Sequence, residues 1–396
     1  MKEKHIILRA VSGMSGTRDV FLGPVPFGLG PEEVPAQVKV DVDEIDRKKI
    51  AALARDKEVL AVAPAMPMRL IEPLDVDVPA QPAGNIAWGV QAVRANTSPF
   101  TGSGVKVCVL DTGIDPNHPA FAGVVLVRKN FTNETDDDQH GHGTHCAGTI
   151  FGRDVNGTRI GLASGVQTAI IGKVLGQGGG SSDQIVTAIQ WAVENGANVI
   201  SMSLGIDFPG YVAQLQAGGM PVQPATSQAL EAYRLNVALF ERVTSLVRTQ
   251  EKTQQPTLIV AAAGNESRRG GNPQFEIAVS PPAVAEGIVS VAAVGQVGQG
   301  LTVAPFSNAG ANVSGPGVKI LSARRGGGLA LMSGTSMATP HVAGVAALWA
   351  ERLKNSGMLS VLNLTARVVA SSITETLNQP FDPFDVGAGL VQAPQG

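Results

Sequence analysis

The chain carries five nearly unbroken apolar runs, each of strand length: VKVCVL (105–110), TAIIGKVL (168–175), ANVISMS (197–203), TLIVAAA (257–263) and GIVSVAAV (287–294). A strand with one face in water alternates apolar and polar residues, whereas a strand buried on both faces does not. Helical patterns lie between the runs. SSDQIVTAIQWAVENG (181–196) places Ile185, Ile189 and Val193 four residues apart, with Gly196 set to end the helix. A longer helix is expected over about 226–250, with Leu230, Tyr233, Val237, Phe240 and Val247 along one face. Such strands alternating with helices specify an α/β chain, with a mostly parallel central sheet flanked by helices in three layers.

Residues 1–73 break this rhythm and are expected to form a small α+β module. HIILRA (5–10) and AQVKVDV (36–42) read as strands. DEIDRKKIAALARDKEV (43–59) reads as a helix with Ile50, Leu53 and Ala54 on one side, and LAVAPAMPMRLIE (60–72) as an interrupted strand. The stretch 11–34 is rich in Gly and Pro and carries no helical pattern. A Pro-punctuated linker follows at 74–85, and residues 86–396 form the main domain.

With 396 residues the chain can bury a large core and add a small domain. Its net charge of −3 argues against a nucleic-acid partner, which calls for a basic surface. No apolar run reaches membrane-span length. The N-terminal apolar run, Ile6 to Leu8, is too short for a secretory signal, so a cytoplasmic protein is expected rather than a secreted one. Two cysteines, Cys108 and Cys146, do not make a disulfide framework.

In open parallel sheets, ligands bind beyond the carboxyl ends of the strands. Asp111 and Asn265 both follow apolar runs, Asn265 after one glycine. Asp111 belongs to VCVLDTGID (107–115), His142 to HGHGTHCAGT (140–149) and Ser336 to SGTSMATPHVAGVAAL (333–348). A serine hydroxyl is a poor nucleophile at neutral pH. It needs a neutral imidazole to take its proton and a carboxylate to hold that imidazole in the right tautomer. AAAGNES (261–267) adds a side-chain amide donor, Asn265, at a strand end. Ser336 is expected near the start of a buried helix, with Pro340 in that helix's first turn.

These four segments, in this order, resemble the subtilase family of serine endopeptidases, nearest the proteinase K-like and subtilisin pattern, from about Trp88 to Ala393. The resemblance implies the subtilisin-like three-layer fold. It also implies that Asp111 orients the base, His142 is the base and Ser336 is the nucleophile. Asn265 and the Ser336 backbone N–H would hold the oxyanion. The pocket for the residue before the scissile bond would lie between Ser203, Leu204 and Gly205 on one side and Ala262 and Gly264 on the other. Small walls there imply an apolar residue before the scissile bond. Gly178, Gly179 and Gly180 match the edge that pairs with substrate as an added strand, Ser280 the pocket floor, and Pro282 a cis bend. One departure follows Gly205: the insert 206–224, read either as a surface elaboration or as a lid or docking arm.

DDDQHGHGTHC (136–146) holds three of the six histidines. A zinc site from His140, His142 and His145 is an alternative to one base with packing neighbours. The second reading makes His142 the base, His145 and Cys146 packing residues, and His140 with Asp136–Asp138 a solvated approach. No cofactor is required for the chemistry and no catalytic metal is assigned. Some members of the family bind calcium in the loop before the catalytic His, and Asn133, Thr135 and Asp137 offer oxygens of a suitable kind for such a structural site. The family's stronger calcium site takes an Asp after a His-Pro pair, and Ala120 stands at that position after His118-Pro119.

Residues 36–72 resemble the end of a subtilase prodomain. The resemblance implies that this module inhibits the enzyme from within the chain, with self-cleavage near 72–85. The reading is therefore a serine endopeptidase acting on proteins or peptides, with neither a nucleic acid nor a membrane as partner. The alternatives are a dedicated processing or peptide-ligating member acting on one partner, and a non-enzymatic scaffold.

Overall fold

The structure is a computed structural model and describes residues 2–10, 38–53, 55–74, 78–79 and 84–396. The N-terminal module opens with β1 (Lys2–Ala10). β2 (Val38–Asp46) pairs with it antiparallel, α1 (Arg47–Leu53) follows, and β3 (Val59–Pro64) pairs along the other edge of β1. The helix expected over 43–59 is thus shorter at both ends. Residues 43–46 continue the ladder opposite Lys2–His5, and Asp46 ends it by accepting a 3.0 Å bond from Lys48 N. Ladder hydrogen bonds outweigh local helix propensity here. Ala54, the 11–34 stretch and much of the linker lie outside the described residues. β4 (Pro67–Leu70) and the two-residue β5 (Val78–Pro79) complete this part of the chain.

The main domain begins with α2 (Trp88–Ala92), β6 (Val107–Asp111), β7 (Val125–Asn130), α3 (His142–Phe151) and β8 (Thr168–Lys173). β9 (Gly180–Ser181), α4 (Ser182–Glu194), β10 (Val199–Met202) and β11 (Leu204–Ile206) follow. The insert forms α5 (Phe208–Ala217) and leads into α6 (Val222–Gln250), which starts four residues earlier than expected. Then come β12 (Leu258–Ala262), β13 (Ile288–Val297), β14 (Gly300–Val303), β15 (Val313–Pro316), β16 (Ile320–Ala323) and β17 (Leu329–Met332). The chain closes with α7 (Thr335–Asn355), α8 (Val361–Ala370) and α9 (Pro383–Val386).

The central sheet runs β14-β13-β12-β10-β6-β8-β7, with β15 also on β13. All its pairings are parallel except the β13–β14 hairpin. Its inner strands β6, β8, β10, β12 and most of β13 are buried on both faces, as their nearly unbroken apolar sequences require, while the edge strands β7 and β14 are partly exposed. Val107 and Val109 of β6 enter one core with Ala147 and Ile150 of α3 and Val342 and Val345 of α7. Cys108 and Leu110, the alternate residues, enter a second core with Ile185 and Ile189 of α4 and Phe240 of α6. This is the three-layer α/β fold.

The N-terminal module adds to the second core through Ile6, Leu8, Ala63, Met66 and Met68. α4 and α6 bear it. Asn236 Nδ2 of α6 donates to the Pro64 carbonyl at 2.8 Å, and Ser182 Oγ accepts from Met66 N at 3.0 Å. Lys4 pairs with Asp183 at 2.6 Å. The insert packs on the same side: Phe208 of α5 meets Tyr233 of α6 edge-on, and Asp207 N donates to the Pro67 carbonyl at 2.9 Å.

Candidate active site

Three segments meet beyond the carboxyl edge of the sheet. β6 ends in Asp111, α3 starts at His142, and α7 starts one residue before Ser336. Both helices therefore present first-turn N–H groups, which have no intrahelical carbonyl to bond. α3 lies close to β6 because residue 143 is glycine. A Cβ there would stand 2.2 Å from Gly113 O and 3.2 Å from Asp111 Cβ.

His142 Nδ1 lies 2.8 Å from Asp111 Oδ1, and both side chains are buried. The same carboxylate oxygen accepts from Thr112 N at 2.7 Å. Burial by itself would lower the His142 pKa. The Asp111 carboxylate and the neighbouring Cys146 together outweigh burial and hold the imidazole well above its ordinary 6.5. His142 Nε2 is buried without a hydrogen-bond partner.

Asp138 fixes the start of α3, a role the sequence reading missed. Its Oδ1 accepts from Thr112 Oγ1 (2.9 Å), His140 N (2.9 Å) and Gly141 N (2.8 Å). Its Oδ2 accepts from Thr144 N (3.0 Å) and Thr144 Oγ1 (2.7 Å). Asp138 is thus buried rather than part of a solvated approach, while Asp136, Asp137 and His140 are exposed. A carboxylate just before a helix N-terminus was the available signal, but three successive Asp residues hid which one turns inward.

Asn265 follows β12. Its Oδ1 accepts from Thr335 N (2.8 Å) and Thr335 Oγ1 (2.9 Å), which turns Nδ2 toward the groove. Pro340 is the sixth residue of α7, one turn later than expected. With no N–H to give, it leaves the Ser336 carbonyl without its helical partner. Ser203 Oγ (3.2 Å) and Cys146 Sγ (3.4 Å) donate to that carbonyl instead.

The groove holds the chain's own N-terminal strand. β4 runs antiparallel between β11 and β9, with Arg69 opposite Gly205 and Met68 opposite Gly180. Gly179 adopts φ +82°, and a Cβ there would lie 2.5 Å from the Met68 carbonyl. Glycine is required on both counts. Gly178 has open space around it and makes no such approach. Past β4, Ile71 N donates to Ser203 O at 3.4 Å. A Cβ on Gly205 would meet Ser280 Oγ at 3.0 Å and Ile71 Cγ1 at 3.8 Å, so Ile71 is buried beside these two residues. Leu204 and Ala262 are buried in the adjoining strands, and Gly264 N donates to Thr335 Oγ1 at 3.2 Å. The peptide before Pro282 is cis. Ser336 Oγ donates to the Ile71 carbonyl at 2.8 Å, and Asn265 Nδ2 to the next carbonyl, that of Glu72, at 2.8 Å.

The three clustered histidines have separate polar partners, although the His140 and His142 rings meet edge-on with centroids 6.2 Å apart. His145 Nε2 bonds the Ile320 carbonyl at 3.0 Å, and burial lowers its pKa to about 3. His140 faces Glu72 at 3.7 Å. Cys146 lies under His142, with Sγ 3.8 Å from Nδ1, and burial pushes its thiol up. Cys108 sits in the opposite core and both thiols are free. Thr135 O and Asp137 O accept from the buried Lys173 Nζ at 2.8 and 3.1 Å, and Asp137 Oδ1 pairs with Arg128 at 2.7 Å.

The subtilase family model matches residues 102–389, which span β6 to α9 and all four segments of the site. The chain belongs to the subtilase family. Its relatives agree over most of its length. It is 29% identical to the thermostable alkaline protease of Halalkalibacterium halodurans, over 92% of this chain and 89% of that protein. It is 32% identical to the alkaline elastase YaB of Bacillus sp. strain YaB, over 93% and 89%. It is 34% identical to an intracellular serine protease of Paenibacillus polymyxa, over 70% and 77%. This subtilase is accordingly a serine peptidase, a hydrolase acting on peptide bonds. Among its described residues, no helix is long and apolar enough to cross a membrane.

Proposed function

We propose that the enzyme is an endopeptidase in which Ser336 attacks, His142 carries the proton and Asp111 holds the imidazole. The observation that carries this reading is the buried 2.8 Å contact of His142 Nδ1 with Asp111. That contact leaves Nε2 as the free basic atom on the side of the imidazole away from Asp111. In the reaction, Nε2 takes the Ser336 proton as Oγ bonds to the substrate carbonyl carbon. The carbonyl oxygen becomes an oxyanion, held by Asn265 Nδ2 and the Ser336 amide. As the C–N bond breaks, His142 returns the proton to the leaving amine. Water then hydrolyses the acyl-enzyme by the same steps reversed.

An apolar residue before the scissile bond is supported by Ile71, which is buried beside Gly205 and Ser280. On this reading β4 and Ile71 are bound as substrate would be, and the bond on the nucleophile is Ile71–Glu72, at the edge of the expected 72–85 region. The seated pose is unproductive. Ser336 Oγ bonds one carbonyl while Asn265 bonds the next, so no single carbonyl has both nucleophile and oxyanion donor. The module thereby inhibits while it is seated and is cut when it shifts. The oxygens of Thr135 and Asp137 do not fit calcium, since Lys173 and Arg128 already meet them. No step needs a metal.

Intact mass of the incubated full chain tests the reading. Wild type should lose residues 1–71 and Ser336→Ala should not. Equal full-length masses would refute self-processing.

A further inference from the structure

The strand in the groove carries a cation where a substrate would carry a side chain of its own. Arg69 lies opposite Gly205, two residues before Ile71. Alternation along an extended strand turns both side chains to the same side. The Arg69 guanidinium meets two carboxylates, Glu266 at 3.0 Å and Asp207 at 3.4 Å. Each acid is held in place from behind. Glu266 Oε2 accepts from Asn308 Nδ2 at 2.7 Å, and Glu266 N donates to Asn308 Oδ1 at 3.1 Å. Asp207 caps α5, its Oδ1 accepting from Gly210 N at 3.1 Å. The two acids come from opposite walls: Glu266 directly follows Asn265, and Asp207 directly follows β11 within the insert. Neither takes part in the hydrolytic steps, and a guanidinium already bridges them in substrate register.

We propose that Asp207 and Glu266 form a cation-selecting subsite for the third residue on the amino side of the cleaved bond. The preferred substrates would carry Arg or Lys there and an apolar residue next to the cleaved bond. The inference rests on the reading in which the Ile71 carbonyl marks the attacked position. Arg69, Asp207 and Glu266 are 43%, 28% and 34% exposed, so water screens both pairs. Each pair then contributes about a two- to fivefold preference, weakening as salt rises.

The test uses the full chain, incubated until its peptidase rate is constant. Four peptides differ only at the third residue before the cleaved bond: Arg, Lys, Ala or Glu. The expected kcat/KM is about 4- to 25-fold higher for Arg than for Ala, and lowest for Glu. The spread should narrow in about 0.5 M NaCl. Asp207→Asn with Glu266→Gln, which keeps the cap and the Asn308 bond, should bring the Arg and Glu peptides to within about twofold. Equal kcat/KM for all four peptides on the wild type overturns the inference and leaves the protease reading intact. An Arg preference that survives the double substitution also overturns it. Cleavage of none of the peptides overturns the protease reading, and this inference with it.

Discussion

The Ser336 hydroxyl donates a 2.8 Å hydrogen bond to the backbone carbonyl of Ile71, a residue of the chain's own N-terminal module. The serine is thus engaged before any substrate arrives. His142, its proposed base, contacts Asp111 at 2.8 Å, and the strand that leads to Ile71 lies between β11 and β9.

The pH profile follows from the Asp111–His142 contact. In the proposed mechanism neutral His142 is the competent base, and its folded pKa is raised above 6.5. Activity should therefore be low at and below pH 6.5 and rise as His142 loses its proton at higher pH. In Asp111→Asn the carboxylate's charge is gone while burial remains, so the ionisation should fall relative to the wild type. The rate should drop by about 10⁴ because the tautomer is no longer fixed. A wild-type profile of kcat/KM that levels off below pH 6 would contradict this.

The pocket should be narrowed by Gly205→Val. A Cβ there already meets Ser280 Oγ at 3.0 Å and Ile71 Cγ1 at 3.8 Å, so two further methyls occupy the space of a substrate side chain. Relative to a peptide with Ala before the cleaved bond, kcat/KM for one with Leu should fall by about 10- to 200-fold. An unchanged Leu-to-Ala ratio would place the pocket elsewhere.

Asp138→Ala tests the support of His142. It strips acceptors from three backbone N–H groups and two hydroxyls. Unsatisfied buried donors cost about 1–3 kcal/mol each and do not add fully, so a loss on the order of 3–5 kcal/mol is expected. Thermal unfolding reads that loss. The kcat of the folded fraction should fall by about 10² as the imidazole shifts. A variant as stable and active as wild type would refute the role.

Several of these features could be read from sequence and several could not, for physical reasons. Doubly buried strands read as unbroken apolar runs, so the sheet and the placement of Asp111 and Asn265 at its edge were legible. The seat of the N-terminal strand was legible only through the family resemblance. MRLI carries nothing that distinguishes a groove strand from an edge strand, and the acids facing Arg69 lie far along the chain. Residues 43–46 have helical propensity that only the ladder with β1 overrides. Pro340 stands beyond the first turn because Ser203 and Cys146 replace its missing N–H at the Ser336 carbonyl. Cooperation of that kind, between α7, α3 and β11, is tertiary and leaves no local mark.

The hold of the module on the enzyme is tested at α6. Asn236→Ala removes the buried bond to the Pro64 carbonyl, which costs about 1–3 kcal/mol. The module should detach more readily. The initial peptidase rate of the full chain should rise by about five- to 150-fold relative to its own final rate. An initial rate as low as that of wild type would mean that the module is held elsewhere.

The central claim is that Ser336 is the activated nucleophile, and labelling with a fluorophosphonate tests it most directly. Peptide mapping of the incubated full chain should place the adduct on Ser336. Labelling should be abolished by Ser336→Ala and slowed strongly by His142→Ala. An enzyme that stays unlabelled, or that carries the adduct on another residue, would contradict the account.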